Sequence, residues 1–449
     1  MKRMIAGARA GVSRVLDLES KLLFKNSTWV FVSNFAGIAL AFARSVAVAR
    51  ILGAETFGAY AMVVAFVGIV QEFLNLNLGT AFIRFGAAYH HEGRFDKLTA
   101  LLRLFTRTSL LMMVLSVVVV AFVTAFFYDA FITKPGLSMF VILYAAAAST
   151  KYFNSISNGI LRLYYKFRLN SLIQIIMDIV ESVLVILTVI FYGNNLAIFF
   201  TTVIVAAFLN GFICNAMAYW EVRNEFKSWK EAKASLIGDD RRAIREFVIG
   251  NSLGNSLKSV MSQGDVLLLG MACGPAQVAF YAVAKKLAYS VLVLTDPLVN
   301  SVFPQFSKLL AAKKFSEISV MLKKITLTAA IPALLCLVPA YFLNEWVIVT
   351  IFGDAYSQAG KPFFWLLAGA AFGSVTFWAL PLVQSLGLVG LRIRVYLAAI
   401  AAGAIVARWL MPSQQATGMA VALLSANLII NFTFIFYSWK KMRLPGQAS

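Results

Sequence analysis

The chain has 449 residues, of which 60% are hydrophobic and 13% are charged, and its mean hydropathy is +0.80. A soluble domain carries roughly 25% charged residues, so this composition excludes an ordinary soluble fold. A net charge of +20 would suggest nucleic acid in a soluble protein. In a membrane protein the excess of Lys and Arg belongs in cytoplasmic loops, so we predict no nucleic-acid partner.

A basic amphipathic segment, residues 1–26, precedes a series of apolar runs of about 20 residues, each long enough to cross a bilayer as a helix. The runs predict an all-α polytopic membrane protein with about twelve transmembrane helices. The longest polar stretch separates six spans from six, which predicts an N-terminal lobe over 27–220, a cytoplasmic linker over 221–246, a C-terminal lobe over 247–437 and a tail over 438–449. The spans lie near 27–49, 57–79, 102–127, 137–159, 170–191, 196–220, 247–271, 280–303, 325–350, 362–387, 394–411 and 416–437.

Basic residues concentrate in alternate loops, which indicates the orientation of the chain. With the N-terminus inside, the opposite loops hold only Arg50, Lys134, Lys361 and Arg408. Cytoplasmic loops of membrane proteins carry the excess of Lys and Arg. We therefore predict a multi-pass protein of the bacterial cytoplasmic membrane with both termini in the cytoplasm.

The two halves of the chain resemble each other at a separation of 221 residues. This offset aligns Tyr60 with Tyr281, and the same offset aligns Phe82 with Phe303 and Phe85 with Phe306. Each half has an even number of spans, so both enter the membrane from the same side. The repeats must then be parallel, and the lobes pseudo-symmetric about an axis along the membrane normal.

Ionisable residues recur inside the spans at helical spacing. Such a residue costs at least ~2.5–3.5 kcal/mol at the bilayer centre and usually faces a bundle interior or an aqueous cavity. Steps of three and four place the polar residues of one span on a single face. The stripes comprise Asn251, Asn255, Lys258, Ser262 and Asp265 in span 7, Tyr144, Lys151, Asn154, Ser155 and Asn158 in span 4, and Tyr281, Lys285, Tyr289 and Asp296 in span 8.

Three of these lysines are candidates for binding an anionic substrate, because a buried ammonium needs a carboxylate or an anion. They are Lys151, Lys258 and Lys285. Asn154 and Asn255 beside them would bind sugar hydroxyls, and the alternative is that such residues only join helices.

Two further cations are also candidates for binding the substrate. Arg44 is equivalent to Asp265 under the repeat, and Lys286 follows Lys285 in span 8. The alternative is that both side chains extend to a membrane interface.

Four intramembrane acids are candidates for ion coupling, because unpaired carboxylates at this depth bind protons or Na⁺. They are Asp178, Glu181, Glu72 and Asp265. The alternative for Asp178 and Glu181 is that they pair with Lys151. The three cysteines and the two adjacent histidines match no metal or catalytic spacing, so neither a metal nor another cofactor is predicted.

One motif lies around the first two spans of each lobe. In the first lobe the motif runs from Ala49-Arg50-Ile51-Leu52-Gly53 through Phe57-Gly58-Ala59-Tyr60 to Leu78-Gly79-Thr80-Ala81-Phe82-Ile83-Arg84. In the second it comprises Asp265, Leu267-Leu268-Leu269-Gly270 and Phe280-Tyr281-Ala282-Val283-Ala284. These motifs resemble those of a known family, the polysaccharide-biosynthesis flippases of the multidrug/oligosaccharidyl-lipid/polysaccharide exporter superfamily. The acid that the family usually carries before the Leu-Gly of its second span is replaced here by Asn75-Leu76-Asn77.

The resemblance implies a non-enzymatic flippase with a central cavity that opens alternately to each side of the membrane. Its substrate would be a lipid-linked oligosaccharide, the undecaprenyl pyrophosphate-borne repeat unit of O-antigen, capsule or exopolysaccharide. The pyrophosphate would lie near the basic residues, and the partners would include the polysaccharide polymerase and the chain-length machinery. Two alternatives stay open: a multidrug antiporter of the same superfamily, and a membrane-embedded glycosyltransferase or polymerase. The first favours acids and aromatics in its cavity, and the second needs a large outward loop.

Overall fold

The computed structural model describes residues 2–131, 136–193, 195–222, 237–238, 240–290 and 296–443. These ranges are almost entirely helical and contain no strand. The α-helices are α1 (Lys2–Phe73), α2 (Leu78–His91), α3 (Phe95–Phe131), α4 (Ser138–Ala148), α5 (Lys151–Leu163), α6 (Phe167–Tyr192), α7 (Leu196–Val222), α8 (Arg241–Cys273), α9 (Pro275–Ser290), α10 (Asp296–Ala311), α11 (Phe315–Phe352), α12 (Gly360–Val375), α13 (Ala379–Ser385) and α14 (Val389–Arg443), with a 3₁₀ helix at Asp354–Ala359.

The described helices form twelve spans in two six-helix lobes, as the sequence predicts. Helix α1 folds back at Gly53 and α14 at Gln415, so each supplies two spans. Six described helices are long and apolar enough to cross a membrane, and the bent pair that ends in α13 makes a seventh. The spans that fail this test are the fourth, seventh and eighth. These three spans carry the predicted polar stripes.

The turns between spans repeat from one lobe to the other. Eleven described residues have a positive φ, and ten of them form pairs 217 to 222 positions apart, each pair at the same turn of its lobe. The parallel repeat predicted at 221 residues is therefore confirmed in the backbone. The pairs are Gly53 with Gly274, Gly93 with Lys313, Gly136 with Gly353, Tyr165 with Gly387, and Gly193 with Gln415.

The first turn of each lobe has nearly the same backbone angles. Gly53 has φ 74° and ψ 169°, and Gly274, 221 positions later, has φ 81° and ψ 175°. Glycine reaches this region because it lacks a Cβ. We call the side of these turns the far face, and the opposite side, where α1 begins and α14 ends, the terminal face.

The fourth span of each lobe is interrupted. Helix α4 ends at Ala148 and α5 begins at Lys151; α12 ends at Val375 and α13 begins at Ala379, with a bend of 42°. An interrupted helix at membrane depth is tolerated where it is buried in protein or lines a cavity. Lys151 follows the break between α4 and α5 directly, so it lies beside backbone groups that need polar partners.

The two lobes pack closely near the far face through glycines. A Cβ on Gly58 would lie 1.8 Å from the carbonyl oxygen of Pro275, and one on Gly270 would lie 2.4 Å from the terminal methyl carbon of Met62. Small residues let transmembrane backbones approach each other. Here they hold α1 against α8 and α9, the helices whose side chains form the candidate site.

Candidate functional site

Asp265 is the centre of a buried charged cluster in the C-terminal lobe. Its carboxylate accepts hydrogen bonds of 2.5 Å from the Tyr281 hydroxyl and 2.5 Å from Lys285 Nζ. Lys285 also donates to the carbonyl oxygen of Ser262 at 2.7 Å. Within the described residues, Asp265 of the span 7 stripe thus faces Tyr281 and Lys285 of the span 8 stripe. Lys285 is neutralised by Asp265, so it does not present a free positive charge.

Arg44 occupies the equivalent position in the N-terminal lobe and forms an ion pair with Glu181 on α6. Asp178, one turn before Glu181, faces Gly37 of α1, where an added Cβ would lie 2.7 Å from its Oδ2. The alternative that these two acids pair with Lys151 is wrong, because Lys151 meets Glu72 at 4.0 Å. Helix α6 turns both acids toward α1.

Two cavities flank helices α8 and α9. The N-lobe cavity, of about 360 Å³, has a mixed lining, in which Val, Ala and Phe side chains accompany a polar group formed by Arg44, Ser45, Tyr60, Tyr144, Glu181 and Gln263. The C-lobe cavity, of about 580 Å³, is lined by Lys285 and Tyr289 together with Thr376 and Phe377, which connect α12 to α13, and residues of α13 and α14. Both volumes lie in the range of small-molecule sites. Val266, Ala282 and Lys286 line both cavities.

Lys286 differs from the other cations of these cavities in its partner. Its Nζ donates to the carbonyl oxygen of Ala41 at 2.7 Å, and no carboxylate of the described residues lies within ion-pairing distance. Arg44 and Lys285 are each neutralised by an acid. The alternative that Arg44 and Lys286 extend to a membrane interface is wrong, since both line a cavity between the lobes.

The stripe on span 4 mainly joins helices. Asn154 Oδ1 accepts a hydrogen bond from Asn215 at 2.8 Å, and the Ser155 hydroxyl accepts one from the Gly79 amide at 3.1 Å. These contacts match the helix-joining alternative, and substrate binding by Asn154 stays a prediction. Two residues of this stripe are open to a ligand: Lys151, half-exposed at the break, and Tyr144, which lines the N-lobe cavity.

Three side chains of the predicted stripe on span 7 lie outside the described residues, and one residue that lines a cavity was not predicted. The side chains of Asn251, Asn255 and Lys258 lie outside the described residues. Gln263 lines the N-lobe cavity, yet it falls two positions before Asp265 and off the predicted stripe. Its amide Nε2 donates to Ser259 Oγ at 3.1 Å. Helical spacing alone could not have assigned it to the site.

The far face is closed by contacts between the lobes. The Arg50 guanidinium donates to the carbonyl oxygens of Ile351 at 2.7 Å and Thr350 at 2.5 Å. The Tyr356 hydroxyl donates to the carbonyl oxygen of Ala49 at 2.9 Å. Arg50 thereby binds the last turn of α11, where helix carbonyls lack partners and the dipole is negative.

On the terminal face the start of α8 is attached to the N-terminal lobe. Asp240 accepts hydrogen bonds from the Tyr89 hydroxyl at 2.7 Å and Lys97 Nζ at 3.0 Å. The hydrogen bond from Tyr89, with that from Lys97, lowers the pKa of the Asp240 carboxyl. Ile237, Ile244 and Val248 complete the contact by packing into the core of the N-terminal lobe. We call this contact the inner anchor.

A two-lobed bundle of twelve mostly apolar spans, with charged cavities between and within its lobes, defines a multi-pass membrane protein. The sequence matches the model of a family described as polysaccharide biosynthesis protein over residues 23–310, well over half of the chain. The chain therefore belongs to the polysaccharide biosynthesis protein family. A search of curated proteins found no match.

Solved structures with this fold include two classes of transporter. An inward-facing multidrug resistance MATE family transporter of the MOP superfamily is 15% identical, with a TM-score of 0.68 over 92% of this chain and 96% of that chain. An outward-facing structure under the same description has 15% identity and a TM-score of 0.58 over 95% and 97%. The lipid II flippase MurJ in an inward closed conformation has 16% identity and a TM-score of 0.65 over 92% and 90%.

Proposed function

We propose that this protein is a flippase that moves an undecaprenyl pyrophosphate-linked oligosaccharide from the cytoplasmic to the periplasmic leaflet of the bacterial inner membrane. The product would serve the synthesis of O-antigen, capsule or exopolysaccharide. Membership of a polysaccharide biosynthesis family supports this class of substrate. The fold that the chain shares with a lipid II flippase is consistent with it.

The observation that carries the proposal is the position of Lys286. Its ammonium lies on the wall common to both cavities and is held only by a neutral carbonyl among the described residues. A pyrophosphate reaching this wall would replace that contact with charge-assisted hydrogen bonds, which are roughly twice as strong as neutral ones. A cationic drug would be repelled at the same point, which disfavours the multidrug antiporter.

Transport would proceed by alternating access between the lobes predicted at 27–220 and 247–437. The terminal face would lie in the cytoplasm, so the closed far face corresponds to an inward-facing state. The higher TM-score to the inward-facing relative, 0.68 against 0.58, supports this assignment. Among the four predicted coupling acids, Asp178 is the one that forms no ion pair with a described residue, and we assign ion coupling to it first.

The test of this function is transport by variants of Lys286. Lys286→Met should lower translocation by about ten- to a hundredfold, since a hydrogen bond to a charged group contributes roughly 1.5–3 kcal/mol. Lys286→Arg should keep part of the activity because the charge remains. Translocation is measured as the fraction of lipid-linked oligosaccharide accessible to a membrane-impermeant reagent at the periplasmic leaflet.

The matched control is Lys324→Met, which removes an exposed lysine of α11 and should leave translocation unchanged. Membrane abundance is measured for each variant to separate transport from folding. If Lys286→Met is present in normal amounts and translocates at the normal rate, the proposed role of this cation is wrong.

A further inference from the structure

The C-lobe cavity has two chemically different parts. One part is polar, with Lys285 and Lys286 beside the amides of Asn427 and Asn431. The other is apolar and is formed by α13 and α14 with neighbouring residues. Its side chains are Phe377, Leu380, Tyr396, Leu423, Ile430 and Phe434. A cavity that joins the Lys286 ammonium to an apolar lining suits a ligand with an anionic group directly attached to a hydrocarbon.

The N-lobe cavity has a different character. It is the more polar of the two: Arg44 and Glu181, the hydroxyl groups of Ser45, Tyr60 and Tyr144, and the amide of Gln263 provide donors and acceptors on one part of its wall, and Val and Ala side chains form much of the rest. Neighbouring donors and acceptors of this kind match the hydroxyl groups of a sugar better than they match a hydrocarbon. The two cavities meet at the wall that contains Lys286.

We propose that the two cavities bind opposite ends of one substrate, with the first isoprenoid units of the lipid in the C-lobe cavity and the sugar next to the pyrophosphate in the N-lobe cavity. This inference rests on the proposed function. Its basis is the matching order of groups: sugar, pyrophosphate and isoprenoid in the substrate; polar cavity, Lys286 and apolar cavity in the protein. The remainder of the lipid would leave the C-lobe cavity toward the bilayer.

Binding of two soluble probes to the purified full-length protein tests the assignment. The probes are farnesyl pyrophosphate, which carries an isoprenoid, and inorganic pyrophosphate, which does not. The wild-type protein should bind farnesyl pyrophosphate more tightly, because burial of apolar surface adds to the anion contact. The ratio of the two dissociation constants then measures what the isoprenoid contributes.

Leu380→Trp should fill the apolar part of the C-lobe cavity and remove most of this advantage, a loss of about tenfold or more in affinity for farnesyl pyrophosphate. Its affinity for inorganic pyrophosphate should not change. Leu380→Asn keeps the branched shape of the side chain but makes it polar, and it should cause a smaller loss of the same kind, so the test survives if the tryptophan variant does not fold. Val64→Trp, which projects a ring into the N-lobe cavity, is the matched control and should leave the ratio unchanged.

The outcomes separate the two levels of the proposal. If Lys286→Met leaves the binding of both probes intact, or if the wild-type protein binds neither probe, the proposed function fails and this inference fails with it. If Lys286→Met weakens the binding of both probes, but the Leu380 variants still bind farnesyl pyrophosphate more tightly than inorganic pyrophosphate by the wild-type ratio, the proposed function stands and the assignment of cavities is wrong. Loss of the advantage in Val64→Trp alone would also overturn the assignment.

Discussion

The two lobes share a backbone but carry opposite charges at equivalent positions. Arg44 on the first span of the N-terminal lobe corresponds to Asp265 on the first span of the C-terminal lobe. Arg44 meets an acid on the fifth span, Glu181, whereas Asp265 meets a base on the adjacent span, Lys285. Turns and helix lengths therefore repeat while the ion pairs do not. The two ion pairs connect different spans in the two lobes.

The two pairs also differ in their access to solvent. The side chain of Asp265 is 2% exposed and that of Lys285 is 17% exposed, against 21% for Arg44 and 25% for Glu181. In the C-lobe pair Asp265 is enclosed between α8 and α9 and only Lys285 reaches a cavity, whereas both members of the N-lobe pair line the N-lobe cavity. We infer that the C-lobe pair stabilises the fold and that the N-lobe pair is available for exchange with a ligand.

The largest expected effect is on stability and comes from breaking the enclosed pair. Asp265→Asn leaves the Lys285 ammonium buried without a carboxylate, which costs roughly 3–5 kcal/mol. Membrane abundance and the midpoint of thermal unfolding in detergent should both fall sharply. Adding Lys285→Met should recover much of the loss, because the isolated charge is removed. If Asp265→Asn is as stable as the wild-type protein, the two pairs do not differ as proposed.

The N-lobe pair should give a smaller and more specific effect. In a double-mutant cycle on thermal stability, Arg44→Met and Glu181→Gln should couple by roughly 0.5–3 kcal/mol, as contacting residues do. The same cycle with Lys151→Met in place of Arg44→Met should give no coupling beyond error. Coupling between Glu181 and Lys151 would contradict the observed pairing and restore the alternative that the sequence left open.

The length of the apolar runs predicted the spans, the 221-residue offset predicted the repeat, and helical periodicity predicted the faces of the stripes, because each of these depends only on positions along the sequence. The partners of the charges were not predictable in this way. Arg44 and Glu181 are 137 positions apart, and nothing in either helix indicates that α6 packs on α1. The break before Lys151 lacks Gly and Pro; instead the hydroxyls of Ser149 and Thr150 donate to the carbonyl oxygens of Ala146 and Ala147 at 2.7 Å each. Such local hydrogen bonds compete with the helix, but many uninterrupted helices contain the same residues.

Variants of Arg50 test whether its contacts hold the two lobes together at the far face. Arg50→Ala removes two hydrogen bonds to the end of α11, and we expect about a tenfold shift toward the outward-open state, which corresponds to 1.4 kcal/mol. The shift is measured by labelling Ser45→Cys, in a chain whose native cysteines are replaced, with a membrane-impermeant maleimide added from the periplasm. Arg50→Lys should give an intermediate rate, and Arg408→Ala, at an exposed arginine predicted for the same face, should give the original rate. Equal labelling of all variants would show that Arg50 does not hold the far face closed.

The inner anchor connects the two lobes, because α8 of the C-terminal lobe begins in contact with the N-terminal lobe. The pKa of Asp240 is lowered in the folded protein, so its contribution to stability is present above the unfolded value of about 3.9 and is lost as the pH falls through the folded value. Tyr89→Phe removes one hydrogen bond and should cost roughly 0.5–1.5 kcal/mol at neutral pH.

The unfolding midpoint of Tyr89→Phe should therefore approach that of the wild-type protein as the pH is lowered through the acid range. Glu246→Gln is the control, because it removes the exposed pair between Arg242 and Glu246 and exposed pairs contribute little. A pH-independent difference would show that Tyr89 acts by packing and not through the carboxylate. If Tyr89→Phe has no effect at any pH, the start of α8 is free to move with the C-terminal lobe, and the division between the lobes lies at the linker.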